Sequence, residues 1–263
     1  MSNQEAEDWA PLLKAEWRAR ARSPRGRFYV ASHPGWQDDE TWERQAVIDA
    51  DFVLLGLDPE ALARMKVLEI GCGNGRLARQ IAPRVARYHG FDLCETYLAE
   101  ARTVTTGLGR TRFLEGDGAR IPAALNDERY DLIFAAAVFI HCPRPIVVAY
   151  LEQALPLLVA GGRFRFQVLA DPEDGEGYVP LEALAAGTES RTRDFVDEVL
   201  ADQADAREEE LVEGSHYQGH LFRYRELLET VRLLLPAAAE FHVIRFDPMI
   251  FNCEIRLGCG DGI

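Results

Sequence analysis

Residues 66–76, Lys-Val-Leu-Glu-Ile-Gly-Cys-Gly-Asn-Gly-Arg, constrain this chain more than any other stretch. Lys66 to Ile70 is a short apolar, β-branched run that stops at glycine, the pattern of a strand buried in a parallel sheet. Gly71, Gly73 and Gly75 follow at alternate positions, so the backbone can turn tightly and lie against a ligand with no Cβ in the way. From Leu77 to Ala82 apolar residues return at helical spacing before Pro83. Strand, glycine turn and helix N-terminus, in that order, form the ligand crevice of a doubly wound α/β sheet.

The dinucleotide fingerprint G-x-G-x-x-G, in which a helix N-terminus faces a pyrophosphate, is the obvious competitor. Counted from Gly71, it needs glycine at position 76, where the chain has Arg76. The spacing is instead G-x-G-x-G, with Glu69 two residues ahead of it. That pattern resembles motif I, E/D-x-G-x-G-x-G, of the class I S-adenosylmethionine (SAM)-dependent methyltransferases. The resemblance implies a Rossmann-like α/β fold: a doubly wound, mostly parallel seven-stranded sheet with helices on both faces and an antiparallel C-terminal hairpin. It implies SAM as cofactor, with S-adenosylhomocysteine as product, and a methionine site shaped by Glu69, Gly71, Cys72 and Gly73.

Downstream segments agree in order and spacing. Tyr88 to Asp92 reads as the second strand, and Asp92 lies 21 residues after Gly71, near the roughly 20 typical of a ribose-binding acid. A carboxylate there can accept from both ribose hydroxyls. Asp92-Leu93-Cys94-Glu95-Thr96-Tyr97-Leu98 resembles the family's D-x-S-x-x-M-L, which places Leu93 at the cofactor and Tyr97 near the adenine. Tyr97 equally suits a buried position on an amphipathic helix. Thr111 to Leu114, the third strand, runs into Glu115-Gly116-Asp117-Gly118-Ala119. In the family an acid here accepts from the adenine amino group and a neighbouring N–H meets the ring, which maps onto Asp117 with Gly118 or Ala119. Tyr130 to His141 resembles F-D-x-x-x-S-x-x-x-x-H, with one residue more before the histidine. Small residues at Ala135, Ala136 and Ala137 would let the chain pass the methionine portion, and His141 becomes the candidate general base. Leu157 to Gly162 resembles the L-x-P-G-G turn into strand five, with Ala160 in place of proline.

Composition narrows the partners. A net charge of −14, from 29 basic and 43 acidic residues, repels phosphate backbones and disfavours nucleic acid. The five cysteines include no C-x-x-C pair, so reduced thiols and no metal site are expected. No apolar run is long enough to cross a bilayer and the acidic first eight residues do not resemble a secretory signal, so a cytoplasmic protein is expected. Trp9, Leu12, Leu13 and Trp17 predict an N-terminal helix that packs on the domain. Lys14, Arg18, Arg20, Arg22, Arg25 and Arg27 form a basic stretch, either a solvated face or a contact for an anionic, phosphorylated or nucleotide-linked acceptor.

The expected organisation is an N-terminal helical extension over 1–48, a methyltransferase domain over 49–170 and 220–263, and an inserted lid over 171–219. Asp194 to Leu211 reads as an acidic helix within that lid. His216, Tyr217 and His220 are candidate acceptor contacts, since Gly219 argues against a helical pair of metal-binding histidines. Leu221 to Leu235 reads as a helix, followed by two strands. The function expected is methyl transfer from SAM to an O, N or C nucleophile of a small molecule. A SAM-binding scaffold without turnover and a nicotinamide-dependent oxidoreductase are the alternatives.

Overall fold

A computed structural model describes residues 3–22, 26, 30, 38–171, 221–245 and 250–258. Its strands are β1 (Lys66–Ile70), β2 (Arg87–Asp92), β3 (Thr111–Glu115), β4 (Tyr130–Ala135), β5 (Leu158–Asp171), β6 (Leu221–Arg223), β7 (Glu240–Arg245) and β8 (Ile250–Arg256). Its helices are α1 (Asn3–Arg22), α2 (Asp39–Val53), α3 (Pro59–Leu62), α4 (Arg76–Ile81), α5 (Glu95–Val104), α6 (Arg144–Ala154) and α7 (Tyr224–Leu234). The sheet runs β3-β2-β1-β4-β5-β8-β7. The first five strands are parallel, and β8 lies antiparallel to both β5 and β7. The chain winds outward from β1 to β3 and then returns to β4, so the strand order reverses beside β1. In such sheets the crevice at the carboxyl ends of the strands is where ligands bind.

Alternation along the strands fills both faces. Leu68 and Ile70 of β1, with Ile133 and Ala135 of β4, pack with the inner sides of α1, α6 and α7. Val67, Leu132 and Phe134 pack on the other face with α2, α4 and α5. Side chains buried on both sides are what a parallel sheet with helical layers requires. Arg165 of β5 reaches across this layer. It donates to Val53 O at 2.6 Å and Leu55 O at 2.7 Å, satisfying carbonyls at the end of α2, while Glu254 holds it at 2.7 Å.

Four details differ from the sequence reading. Leu221 to Arg223 is not the start of a helix: it pairs in parallel with Leu169 to Asp171 as an eighth strand off the main path. β5 outruns β4, whose pairing ends at Ala135↔Phe166, and the exposed backbone edge takes a partner. The glycine turn before strand five is a bulge within β5, where the register jumps from Tyr130↔Leu158 to Leu132↔Arg163 and Gly161 adopts φ +75°. The inward stripe of α1 is Ala6, Ala10 and Leu13, whereas Trp9 and Leu12 are exposed. Small residues on that stripe let the helix approach Gly118, where a Cβ would lie 3.1 Å from Ala10 O. Finally, the expected boundary at residue 48 falls inside α2, which begins at its N-cap Asp38, accepting from Thr41 N–H at 2.8 Å, and continues to Val53. The expected lid, Asp171 apart, and its acidic helix lie outside the described residues.

Candidate active site

The turn between β1 and α4 is fastened to the end of β2. Gly71 N–H and Cys72 N–H both donate to Phe91 O, at 2.9 and 3.0 Å. Asp92, the last residue of β2, accepts from Gly73 N–H through one carboxylate oxygen at 2.9 Å and from Cys94 N–H through the other at 3.0 Å. Gly71, Gly73 and Gly75 have φ of +71°, +50° and +82°, a region that side chains with a Cβ rarely enter. At Gly71 there is also no room, since a Cβ would meet Val138 Cγ2 at 2.5 Å.

Around this turn a single cleft gathers Gly71, Gly73, Asp92, Leu93, Tyr97, Gly118 and Ala136 from the residues expected at the cofactor. Leu13 and Trp17 of α1 line it as well. Tyr97 is buried and donates from its hydroxyl to Gly26 O at 2.7 Å, tying α5 to the N-terminal segment. Burial keeps its phenol protonated.

Other expected residues stand behind the cleft. Cys72 is buried against β2, where a Cβ on Gly90 would meet Cys72 Cβ at 2.9 Å. Ala135 and Ala119 are core residues. Glu69 is buried beneath the turn, where its carboxylate accepts from the Tyr88 hydroxyl. Burial pushes the Glu69 pKa up to about 8, against the pull of Tyr88 and of Arg76, and the charge of Asp92 raises it further. Arg76, which displaces the third glycine of the dinucleotide pattern, pairs with Asp49 at 2.5 Å and lies 5.7 Å from the Trp42 ring centroid, joining α4 to α2.

Asp117 is exposed and borders a neighbouring depression, not the main cleft. One of its oxygens accepts from Ala119 N–H and Arg120 N–H, at 2.9 and 2.8 Å, closing the turn that presents Gly118 to the cleft. His141 is buried, with its ring centroid 5.6 Å from that of Trp17. Desolvation, and then the charge of Arg20, depress its pKa to about 3. Burial and the neighbouring charge thus favour the neutral ring. His216, Tyr217 and His220 lie outside the described residues.

Two features were not legible in the sequence. The first is the backbone of Ala137, a residue expected in the cleft wall for its size: it has φ +54°, alone among the described non-glycine residues in that region. Gln167 of β5 holds it there, accepting from Ala137 N–H at 2.7 Å while donating to Asn252 at 2.9 Å. Backbone held in this way at a cleft is a mark of a functional site. Trp17 is the second, because the reach of α1 across the strand ends is a tertiary fact.

Residues 67–162 match the model of a family described as a methyltransferase domain. A ubiquinone biosynthesis O-methyltransferase of Leptothrix cholodnii is 34% identical over 133 residues, 47% of this chain and 55% of that one. The chain thus spans about half the length of the curated relatives it matches. Magnesium protoporphyrin IX methyltransferase from Synechocystis, with bound S-adenosylhomocysteine, superposes over 92% of this chain and 98% of its own at 18% identity and a TM-score of 0.56. Phosphoethanolamine N-methyltransferase 1 of Haemonchus contortus, in complex with phosphoethanolamine and S-adenosylhomocysteine, superposes over 100% of this chain and 51% of its own, at 12% identity and a TM-score of 0.59. These two likenesses are of fold. Residues 67–162 are thus similar to a methyltransferase domain, and the fold around them is the one these methyltransferase structures share.

Proposed function

We propose that the cleft binds SAM and that the protein transfers its methyl group to a small-molecule acceptor. The observation that carries this is the glycine turn locked against Asp92. Each Asp92 oxygen takes one backbone N–H, and a carboxylate has about four acceptor sites, so both retain capacity for the two hydroxyls of a ribose. A half-buried carboxylate facing a pair of hydroxyls suits a nucleoside. The absence of any Cβ at 71 and 73 suits a chain lying flat along the turn. These residues fit the cofactor. Gly71 and Gly73 would flank its methionine portion and Asp92 its ribose, with Leu93, Tyr97 and Gly118 around the adenine. Asp117 would act through the turn it closes.

When bound, the sulfonium supplies an electrophilic methyl whose transfer discharges a positive centre, so an apolar, water-poor wall does much of the work. Ala136, Ala137 and Val138 provide that wall, and Leu13 and Trp17 of α1 cover it. His141 would border the acceptor as a neutral ring. A nucleophile that loses its proton easily, such as a phenol, needs no stronger base from the described residues. The relatives named for ubiquinone biosynthesis support a small-molecule acceptor, and the basic stretch of α1 supports an anionic one. Among the described residues no helix is long and apolar enough to cross a membrane, and no cluster of metal-ligating side chains is present.

Calorimetric titration with S-adenosylhomocysteine and with NAD tests the cofactor. Saturable binding of the first and none of the second is expected; the reverse refutes the proposal. Turnover is tested with methyl-labelled SAM and a small-molecule extract. Label recovered in an organic product distinguishes an enzyme from a scaffold.

A further inference from the structure

The helix that follows β4 brings to the cleft one polar side chain that none of the cofactor motifs contains. Tyr150 of α6 lines the cleft and is only 4% exposed. Its ring is held from two sides: it stacks on Phe139, with centroids 5.8 Å apart and 19° between the planes, and lies 5.9 Å from the Phe91 ring centroid. One turn along the same face of α6, Gln153 accepts from Ile121 N–H at 3.0 Å and donates to Ala119 O at 2.9 Å. Those bonds fasten the helix to the turn that carries Gly118, so the Tyr150 ring has little freedom to seek a partner.

Nothing among the described residues supplies one. Tyr97 and Cys142, two other donors in the cleft lining, give to Gly26 O at 2.7 Å and to Val138 O at 3.4 Å. No hydrogen bond among the described residues engages the Tyr150 hydroxyl. A phenylalanine would fill the same volume without the cost of a hidden polar group, so the hydroxyl serves something that enters the cleft. Burial, and after it the negative charge of Cys142, Asp117 and Asp92, holds the phenol well above its ordinary pKa, which keeps it a donor. The Asp92 carboxylate accepts only and suits the hydroxyls of a ribose, whereas the ring nitrogens of a purine are acceptors and need a donor.

We propose that Tyr150 donates a hydrogen bond to a ring nitrogen of the cofactor's adenine, making the cleft selective for a purine with an acceptor at that position. This specificity role rests on reading the cleft as a SAM site.

The test is calorimetric titration of the whole chain, wild type and Tyr150→Phe, with S-adenosylhomocysteine and with its 1-deaza, 3-deaza and 7-deaza analogues, in which CH replaces one ring nitrogen. Tyr150→Phe should bind S-adenosylhomocysteine about 5- to 10-fold more weakly, the worth of one neutral hydrogen bond. One analogue should bind the wild type more weakly by a similar factor and lose nothing further in the variant, and that non-additivity names the nitrogen. Without ligand the variant should melt no lower than the wild type, because the deleted hydroxyl had no partner to lose; a merely structural hydroxyl would lower it. Equal affinity of wild type and variant for S-adenosylhomocysteine, a further loss by all three analogues in the variant, or a lower melting temperature of the unliganded variant overturns the proposal. A wild type that binds no S-adenosylhomocysteine refutes the cofactor assignment and this proposal with it, whereas binding indifferent to Tyr150 refutes this proposal alone.

Discussion

Replacing Glu69 with glutamine should remove a pH dependence that is written into the floor of the cleft. The folded chain holds this carboxyl at about 8 because burial disfavours its charge, whereas the unfolded chain returns it to the ordinary 4.5. Between those two values the folded state binds a proton that the unfolded state does not. Stability therefore falls as pH rises from 4.5 and levels off above 8, opposite to the usual carboxylate. At about 1.4 kcal/mol per pH unit, the wild type loses about 4 kcal/mol between pH 5 and pH 8 through this one group. A glutamine side chain in its place would present the same shape to the Tyr88 hydroxyl and carry no titratable proton. The assay is thermal unfolding of wild type and Glu69→Gln side by side across that range, so that every other titrating group cancels in the difference. For a chain of this size the expected closing of the gap is about 10 °C, with the variant at its most favourable at pH 8. Melting curves that stay parallel from pH 5 to pH 8 would refute the reasoning and mean that water or another partner keeps Glu69 charged beneath the turn.

Other substitutions probe the cleft more directly. Gly71→Ala should abolish S-adenosylhomocysteine binding and lower the melting temperature, because the new methyl both meets Val138 at 2.5 Å and opposes φ +71°; calorimetry and thermal unfolding read the two effects. Asp92→Asn should keep the fold, since one amide oxygen can still take a backbone N–H, but weaken S-adenosylhomocysteine by about 10- to 100-fold, the loss of hydrogen bonds to a charged acceptor. A change of less than about threefold in that titration would place the ribose elsewhere. Gly90→Ala, remote from any ligand, should cost about 1–3 kcal/mol by denaturant unfolding, because its Cβ would press on Cys72 from across β2.

The parts of this site that the sequence revealed are those set by local backbone chemistry. A glycine turn, and an acid at the end of the next strand, are consequences of where a parallel strand must stop, so Gly71, Gly73 and Asp92 could be placed by counting. Leu93 and Tyr97 followed because they lie within five residues of Asp92, and Gly118 and Ala136 because they come just after the ends of β3 and β4. What counting could not supply was depth. Glu69 and Cys72 sit among the cofactor motif yet behind the wall, since alternate residues of a strand and turn face opposite ways. His141 has the residue type and the position of a base, but its proton affinity depends on burial and on Arg20, which is more than a hundred residues away in the chain.

The same limit explains the N-terminal helix. Its apolar residues at 9, 12, 13 and 17 suggest one face, while the face that packs is marked by alanines, which carry little hydrophobic signal but permit close approach to Gly118. Once that face is docked, geometry binds Lys14 and Arg18 at Glu115 and holds Arg20 over Trp17. A run of like charges in a sequence therefore cannot be assigned one role, because rotation about the helix axis separates its members. Arg18 and Arg20 lie two positions apart, about 200° around the helix, so one meets Glu115 at the rim of the sheet and the other lies over the Trp17 ring.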